Sequence, residues 1–354
     1  MAALGVEQSR WTSALVAGTS GRSRLPARRA FAVRASTKDA PSWAGETPLS
    51  SLVNAAINTP WLFKSMQFFA KKVVVDTAEK RGVRWNETLE NYKQKSEEVS
   101  KIFDEISDPS IEYPSYYTKP FHGYDEGNLN WEAAFEAESA TYVMGWRTFK
   151  DESMTASEGY DRLRKSITDI VKDYRGEAPV TDILDVGCSV GCSTRFLAKE
   201  FPEAKVLGLD LSPYFLAVAE HSKRTSSNAQ EAERIDYVQG LAEDTGMADG
   251  SFDFASIQFV VHECPAAATI DILTETFRLL RPGGVLAVVE NDPKSEVIQN
   301  LPPTLFTLMK STEPWTDQYY TLDFEGAMSD TGYQDIKSTP CDPRHRVLLG
   351  RRPQ

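Results

Sequence analysis

The sequence predicts an α/β domain, and three stretches of the chain carry that prediction. The first, residues 183–213, has an apolar strand, a glycine turn, a helical pattern and a second apolar strand. The second is the apolar run 252–261, which is followed by a helical pattern over about 268–280. The third is the turn Pro282-Gly283-Gly284, which ends that helix ahead of another apolar strand. Strands that alternate with helices in this way favour a parallel sheet covered by helices.

The first stretch has the residue types of a nucleotide-binding unit. Gly187 and Gly191 allow the backbone to turn with positive φ and to approach a ligand closely. They precede a helix whose first N–H groups have no partner within the helix. Asp210 ends the second strand 19 residues after Gly191, near the interval of about 20 residues expected for an acid that accepts hydrogen bonds from a ribose.

Two common nucleotide fingerprints are absent from this turn. The dinucleotide pattern G-x-G-x-x-G fails because Ser189 and Cys192 stand at its second and third glycine positions. The P-loop pattern is absent because Gly-Lys-Ser and Gly-Lys-Thr do not occur in the chain. The missing dinucleotide fingerprint disfavours a dehydrogenase.

Four stretches together resemble the class I S-adenosylmethionine (SAM)-dependent methyltransferases, in that family's order and spacing. The first resembles motif I, D/E-x-G-x-G-x-G, with Ser189 at the middle glycine, a small substitution that should keep the turn. The others match the family's ribose-binding acid, adenine-side loop and turn into the fifth strand: Asp210-Leu-Ser-Pro, Gly240-Leu-Ala-Glu-Asp and Leu279-Leu-Arg-Pro-Gly-Gly-Val-Leu. The resemblance covers roughly residues 160–350. It implies a Rossmann-like seven-stranded sheet with helices on both faces, its last two strands near 335–338 and 345–349 and the final one antiparallel.

The resemblance also implies the cofactor, SAM, and the residues that bind it. Gly187 and Gly191 would line its methionine end, Asp185 would orient the turn and the cofactor amine, and Asp210 would accept from the ribose hydroxyls. The remaining contacts are expected from the flanking positions Cys188, Ser189, Leu211, Ala242, Glu243 and Gln258. Where many members carry Asp in the adenine loop, this chain has Leu241. The acceptor for adenine N6 would then be Glu243, Asp244 or a backbone carbonyl.

Two histidines are candidates for the base that removes a proton from the methyl acceptor. His262 follows the strand 252–261, and ligands of open α/β sheets bind beyond the carboxyl ends of the strands. His122 lies in an aromatic segment ahead of motif I and is the second candidate. His221 belongs to a charged helix, and His345, between two arginines, is expected at the surface. A histidine with its ordinary pKa suits proton removal near neutral pH.

Composition narrows the classes of function. The chain has 354 residues with a formal net charge of −12, which argues against a general nucleic-acid binder. It contains no apolar run of about 18 residues, so no transmembrane segment is expected. Its four cysteines include no C-x-x-C pair, and we expect free thiols and no metal site.

Residues 1–35 have the composition of a transit peptide, with six arginines, one acid and many small or hydroxyl residues. Val33-Arg34-Ala35 resembles the V-x-A processing site of chloroplast precursors, which predicts a chloroplast location. A mitochondrial address and a tail without an address are the alternatives.

The remaining chain divides into three predicted parts: a helical N-terminal extension (36–110), an aromatic-rich lid or cap (111–158) and the methyltransferase domain (159–354). Residues 48–84 combine lysines with aromatic residues, so they would either contact an anionic membrane surface or pack on the domain. The lid stretch 119–131 resembles uncharacterised plastid and cyanobacterial methyltransferase-like proteins. Its helix is predicted over 131–149, and residues 294–325 are predicted to be a substrate-side insertion.

These features predict a methyltransferase for a small hydrophobic metabolite, similar to the enzymes of ubiquinone and menaquinone synthesis. Two alternatives stay open. One is a protein methyltransferase, which the acidic charge slightly favours. The other is a SAM-binding module without turnover.

Overall fold

The computed structural model describes residues 38–45, 71–149 and 151–354, and a seven-stranded sheet forms its centre. The strand order is β3-β2-β1-β4-β5-β7-β6, and β7 runs antiparallel to both of its neighbours. The strands are β1 (Asp182–Val186), β2 (Lys205–Asp210), β3 (Ile235–Gln239), β4 (Phe252–Gln258), β5 (Leu280–Asn291), β6 (Gln334–Pro340) and β7 (His345–Arg351). The predicted Rossmann-like fold is therefore confirmed, including its antiparallel final strand.

Helices cover both faces of the sheet because successive strand side chains point in opposite directions. Ile183 packs in a core with the helix preceding β1, whereas its neighbour Leu184 packs in a core with the helix preceding β5. The helices are α1 (Trp85–Gln94), α2 (Ser96–Ile106), α3 (Trp131–Phe149), α4 (Ala156–Arg175), α5 (Cys192–Glu200), α6 (Pro213–Arg224), α7 (Ala229–Ala232), α8 (Ala266–Leu279), α9 (Glu296–Gln299), α10 (Pro303–Thr312), α11 (Thr316–Thr321) and α12 (Phe324–Thr331).

Side-chain caps fix the starts of the helices near β1 and β4, the two strands between which the strand order of the sheet reverses. A reciprocal capping box joins Thr155 and Glu158 at the start of α4. Ser212 caps α6, and Pro213 occupies its first turn. Asn130 caps α3, since its Oδ1 accepts from the Ala133 N–H at 2.8 Å. These caps fix the helix starts that border the ligand-binding edge of the sheet.

The predicted N-terminal extension is helical over residues 71–80, α1 and α2, whereas its described residues 38–45 form bends and turns. Val99 and Ile102 of α2 are buried in one apolar cluster with residues of α3 and α6. The stretch 48–70, part of the candidate membrane segment, and the predicted transit peptide 1–35 lie outside the described residues. Among the residues that are described, no helix is long and apolar enough to cross a membrane.

Residues 38–45 pack against the predicted substrate-side insertion, which forms α9, α10 and α11. The Trp43 side chain is buried, stacked on Phe306 at 5.6 Å and edge-on to Tyr320 at 4.9 Å between ring centroids. Its Nε1 donates to the Ile298 carbonyl at 3.0 Å. The Gly45 N–H donates to Asp317 Oδ1 at 3.2 Å. This segment therefore ties α9, α10 and α11 of the insertion to one another.

Candidate active site

The turn after β1 has the backbone that the glycines predict. Gly187 and Gly191 have φ of +67° and +77°, and Ser189 has φ of +51°. A Cβ built on Gly187 would lie 2.5 Å from Val260 Cγ2, and one on Gly191 would overlap the Tyr237 hydroxyl. Ser189 keeps the turn, but its backbone adopts a conformation that residues other than glycine rarely adopt.

Asp210, at the end of β2, is fixed by two backbone N–H groups. Its Oδ2 accepts from Ser189 at 2.7 Å and its Oδ1 from Ser212 at 2.8 Å. Burial raises the pKa of Asp210 to about 6, although the two hydrogen bonds stabilise the carboxylate and act to lower that pKa. A carboxylate offers about four acceptor positions, so acceptor capacity remains for a diol ligand.

Asp185 ties β1 to the first turn of α5. Its Oδ2 accepts from the hydroxyls of Ser193 and Thr194, both at 2.7 Å. Burial raises the pKa of Asp185 to about 6, although both hydroxyls oppose that shift. Its Oδ1 is enclosed and accepts no hydrogen bond from a described residue. One acceptor at the base of the turn is therefore left for a donor from outside the protein.

A cavity of about 880 Å³ lies at the carboxyl ends of β1, β2 and β4. Its volume is within the range of about 300–1,000 Å³ that small-molecule sites occupy. The predicted cofactor residues that line it are Gly187, Cys188, Ser189, Asp210, Leu211, Ala242, Glu243 and Gln258. His262 and His122 line it too, whereas Asp185 and Gly191 lie behind the lining. The fold thus brings both candidate bases to the cavity of the predicted cofactor residues.

Tyrosines of the lid segment contact the adenine-side loop. The Tyr116 hydroxyl donates to the Glu243 carboxylate, and Gln239 Nε2 donates to the Tyr113 hydroxyl at 3.1 Å. Leu241 forms an isolated backbone bridge with Asp244, and Asp244 is not part of the cavity lining. Of the two carboxylates considered for adenine N6, Glu243 alone faces the cavity.

His262 follows β4 in a short 3₁₀ turn, Val261–Glu263, and is held by a carboxylate at the end of β5. Its Nδ1 lies 2.8 and 3.0 Å from the two carboxylate oxygens of Glu290, whose side chain is fully buried. Burial opposes the charged imidazole, but the attraction of Glu290 outweighs it and raises the pKa of His262 to about 10. No described residue forms a hydrogen bond with its Nε2. The second ring nitrogen is thus left for a ligand.

His122 occupies the lid and is more exposed. Its backbone has φ of +50°, and its N–H donates to the Thr312 carbonyl at 2.9 Å. Its Nε2 lies 3.7 Å from Glu313 Oε1, and its side chain is 45% exposed. Although burial opposes ionisation, the hydrogen bond from His122 helps to hold the pKa of Glu313 below its ordinary value. The pair joins the lid to the end of α10.

Comparison with known proteins identifies the fold's family. The sequence profile described as "Methyltransferase domain" matches residues 184–288. An uncharacterised methyltransferase of Synechocystis is 31% identical over 161 residues, which cover 45% of this chain and 70% of that protein. The chain belongs to the class I SAM-dependent methyltransferases. It is an enzyme of that superfamily, and SAM is its cofactor.

Two further relatives match this methyltransferase over shorter stretches. A trans-aconitate 2-methyltransferase of Deinococcus radiodurans is 37% identical over 32% of this chain and 38% of its own length. A demethylmenaquinone methyltransferase of Listeria welshimeri is 29% identical over 38% of this chain and 58% of its own length. The chain therefore spans less than two thirds of either enzyme.

The residues of the methyltransferase fit SAM at three points. The turn at Gly187 and Gly191 leaves no room for a Cβ, the enclosed Oδ1 of Asp185 lacks a donor, and Asp210 has spare acceptor capacity. These features suit the cofactor's methionine end, its ammonium group and its ribose. The role of each residue stays a prediction.

One expectation about the histidines is wrong. His345 is buried rather than exposed, because β7 begins there and Asp342 Oδ2 contacts its Nδ1 at 2.8 Å. Its ring packs against Phe259 with centroids 5.0 Å apart, and it lines the cavity. His221 is also buried, on α6, but is not part of the cavity lining.

Sequence reasoning missed two residues of this site. Arg164 of α4 is buried, donates to Gln258 and lines the cavity. The periodic pattern of α4 did not distinguish this arginine from its exposed neighbours. Glu290 is the second, and the signal that could have found it is an acid near the end of an apolar strand.

Proposed function

We propose that this methyltransferase transfers a methyl group to a small acceptor with an apolar body, bound in the 880 Å³ cavity. The observation that carries the proposal is the His262–Glu290 pair in the same cavity as the predicted cofactor residues. Away from those residues, the walls are largely apolar and include Val74, Ala140, Val143, Met144, Leu301, Leu305 and Met309. A cavity of this kind suits a compact hydrophobic acceptor with few polar atoms.

In the proposed mechanism, the residues of the chain position the acceptor and handle its proton. SAM, when bound, supplies a methyl group that is already electrophilic. Glu290 fixes Nδ1 of His262, so that Nε2 is presented to the acceptor. Because the pKa of His262 is raised to about 10, its neutral form is a strong base but is scarce near neutral pH. The protonated ring would instead stabilise an acceptor that binds already ionised.

A protein methyltransferase is the second class considered, and the lid contacts argue against it. Tyr116 binds Glu243 on one side of the cavity, and His122 lies beside Glu313 on another. An extended peptide would need an open groove across this edge. By their names, the two relatives that match over shorter stretches methylate trans-aconitate and demethylmenaquinone. They therefore support a small-molecule acceptor, but the two molecules differ too much to indicate its chemical class.

Calorimetric titration of the full chain tests this proposal first. SAM and S-adenosylhomocysteine are expected to bind, and NADH is not. Incubation with radiolabelled SAM and a plastid metabolite extract should then label a small molecule. His262→Ala should abolish labelling while it keeps SAM affinity. Labelled protein instead of a metabolite would favour the second class, and SAM binding without labelling would favour a module without turnover.

We further propose that residues 1–35 direct the chain to the chloroplast, on the strength of their composition. A fluorescent protein fused to these residues should accumulate in plastids, and accumulation in mitochondria or cytosol would contradict this. Contact of residues 48–84 with membranes also stays a proposal. At its described end, Lys71 is already paired with Glu132 at 2.7 Å and Glu136 at 2.9 Å, which favours packing on the domain. Co-sedimentation with anionic vesicles would decide between the two.

A further inference from the structure

Three arginines line the cavity: Arg164 is engaged with Gln258, and the other two, Arg147 and Arg344, are not among the predicted cofactor residues. Arg147 lies near the end of α3, and Arg344 lies immediately before β7. They come from sequence positions almost two hundred residues apart, yet they reach the same cavity. Guanidinium groups in a ligand cavity commonly bind carboxylates or phosphates, because their N–H donors match two oxygens at once.

Arg147 has no ion pair or hydrogen bond from its side chain among the residues that the structure describes. Arg344 is held from one side, since its Nε donates to Asn291 Oδ1 at 2.8 Å. Its backbone N–H donates to Asp342 Oδ1 at 2.7 Å. The Nη groups of Arg344 have no such partner in the described part of the chain. Both residues therefore keep donors available for a ligand.

The two arginines also repel each other. Arg147 is exposed at the cavity, yet desolvation by the surrounding protein lowers its pKa, and the positive charge of Arg344 lowers it further. An anion between them would relieve that repulsion.

The acids nearest this side of the cavity are engaged with other donors. Glu136 binds Lys71 and Trp85, Glu263 accepts from Asn128, and Asp342 pairs with His345. Glu313 accepts from Thr316 at 3.0 Å and lies beside His122. None of these carboxylates is placed to neutralise Arg147.

We propose that Arg147 and Arg344 bind an anionic group of the acceptor, a carboxylate or a phosphate. This inference rests on the proposed function, because it concerns the acceptor of the same cavity. Two successive residues of β5 link this anion site to the candidate base: Glu290 holds His262, and Asn291 holds Arg344. The acceptor is therefore an apolar molecule with one anionic end, and that end sets the distance of its reactive atom from His262.

Binding to the full chain saturated with S-adenosylhomocysteine tests the anion site without turnover. The probes are benzoate and phenyl phosphate, with neutral benzamide as the matched control. At least one of the two anions should bind more tightly than benzamide. The anion with the higher affinity shows whether the site prefers a carboxylate or a phosphate. Arg147→Gln should weaken that binding roughly tenfold or more, and Arg344→Gln likewise, because each removes charge-assisted hydrogen bonds. Arg147→Lys should retain part of the affinity.

Arg162→Gln is the control variant, since Arg162 lies on α4, stacks on Phe149 at 4.2 Å and is not part of the cavity lining. It should bind the anions as the unaltered chain does. Equal binding by Arg147→Gln and Arg162→Gln would overturn the proposal, as would anions that bind no better than benzamide. Loss of S-adenosylhomocysteine affinity in Arg147→Gln would also overturn it and would place the arginine on the cofactor's own carboxylate. If the unaltered chain failed to bind S-adenosylhomocysteine, the proposed function would fail and this inference with it.

Discussion

The backbone N–H of Ser189 donates to the Asp210 carboxylate at 2.7 Å, so the turn after β1 and the acid that ends β2 hold each other in place. This contact joins motif I to the predicted ribose-binding acid, which the sequence separates from it by a helix. It also means that Asp210 arrives at the ligand already oriented. Preorganised acceptors lose little entropy on binding.

Asp210→Asn should lower SAM affinity by roughly tenfold or more, because it removes a charged acceptor for the ribose. The shape of the side chain is kept, so the turn should persist. Titration calorimetry measures the affinity. Asp236→Asn, on the neighbouring strand β3 and outside the cavity lining, is the matched control. Unchanged affinity in Asp210→Asn would remove Asp210 from the ribose site.

SAM affinity should fall as the pH drops below about 6. Burial raises the pKa of both Asp210 and Asp185 to about 6, so acidification from pH 7 protonates them and removes acceptors for the ribose and ammonium groups. Titrations between pH 5 and 8 would measure this. The fall should be shallower in Asp210→Asn, and an equally steep fall in that variant would contradict the role of Asp210.

Gly191→Ala should destabilise the fold more than Gly246→Ala. Both glycines have positive φ, +77° and +67°, and this backbone conformation destabilises each alanine variant by about 1 kcal/mol. A Cβ on Gly191 would also overlap the buried Tyr237 hydroxyl, whereas one on Gly246 meets nothing within 4 Å. Denaturant unfolding compares the two free energies. Equal losses would show that Tyr237 moves away freely.

Glu290→Gln should shift the pH dependence of methyl transfer toward acid. The carboxylate outweighs burial and raises the pKa of His262 to about 10, so its removal lowers that pKa, and the protonated ring that stabilises an ionised acceptor is then lost at lower pH. Initial rates across pH 6–10 measure the shift, with SAM affinity as the control for folding. A proportional loss of rate at every pH would instead indicate a purely structural Glu290.

Trp43→Ala should cost about 3–5 kcal/mol of unfolding free energy, the usual loss for a buried aromatic residue. Trp43→Phe should cost less, since it retains the stacking on Phe306 and loses chiefly the hydrogen bond to the Ile298 carbonyl. Because α10 carries Met309 to the cavity wall, Trp43→Ala should raise the KM for the acceptor and spare SAM affinity. An unchanged KM together with weakened SAM affinity would show that this segment does not support the acceptor side of the cavity.

The glycine turn and its contact with the end of β2 were predictable because their signals are local. Gly187, Gly191 and Asp210 lie within one strand–turn–helix–strand unit, and their residue types reflect backbone conformation and hydrogen bonding that spacing alone reveals. The strand pattern predicted the sheet for the same reason. Ser189 shows that even the departure from the family pattern leaves the turn intact.

The acceptor half was less predictable because its contacts join distant parts of the chain. His262 meets Glu290 only because β4 and β5 are neighbours in the sheet. His345 was expected at the surface from its flanking arginines, but the pairing of β6 with β7 encloses it beside Asp342. Arg147 carries no sequence pattern that separates it from a solvated helix residue. Its environment depends on which loop packs opposite α3.

The hydrogen bond from Trp43 to Ile298 spans 255 positions of the chain. The entropic cost of closing a loop grows with its length, and contacts of high sequence separation slow folding. The βαβ unit at residues 183–213 closes through near neighbours, so we expect it to form early, and the wall built by α9, α10 and α11 to dock late. During synthesis, residues 38–45 leave the ribosome long before α9, α10 and α11 are made, so most of the chain must be synthesised before their partner surface exists.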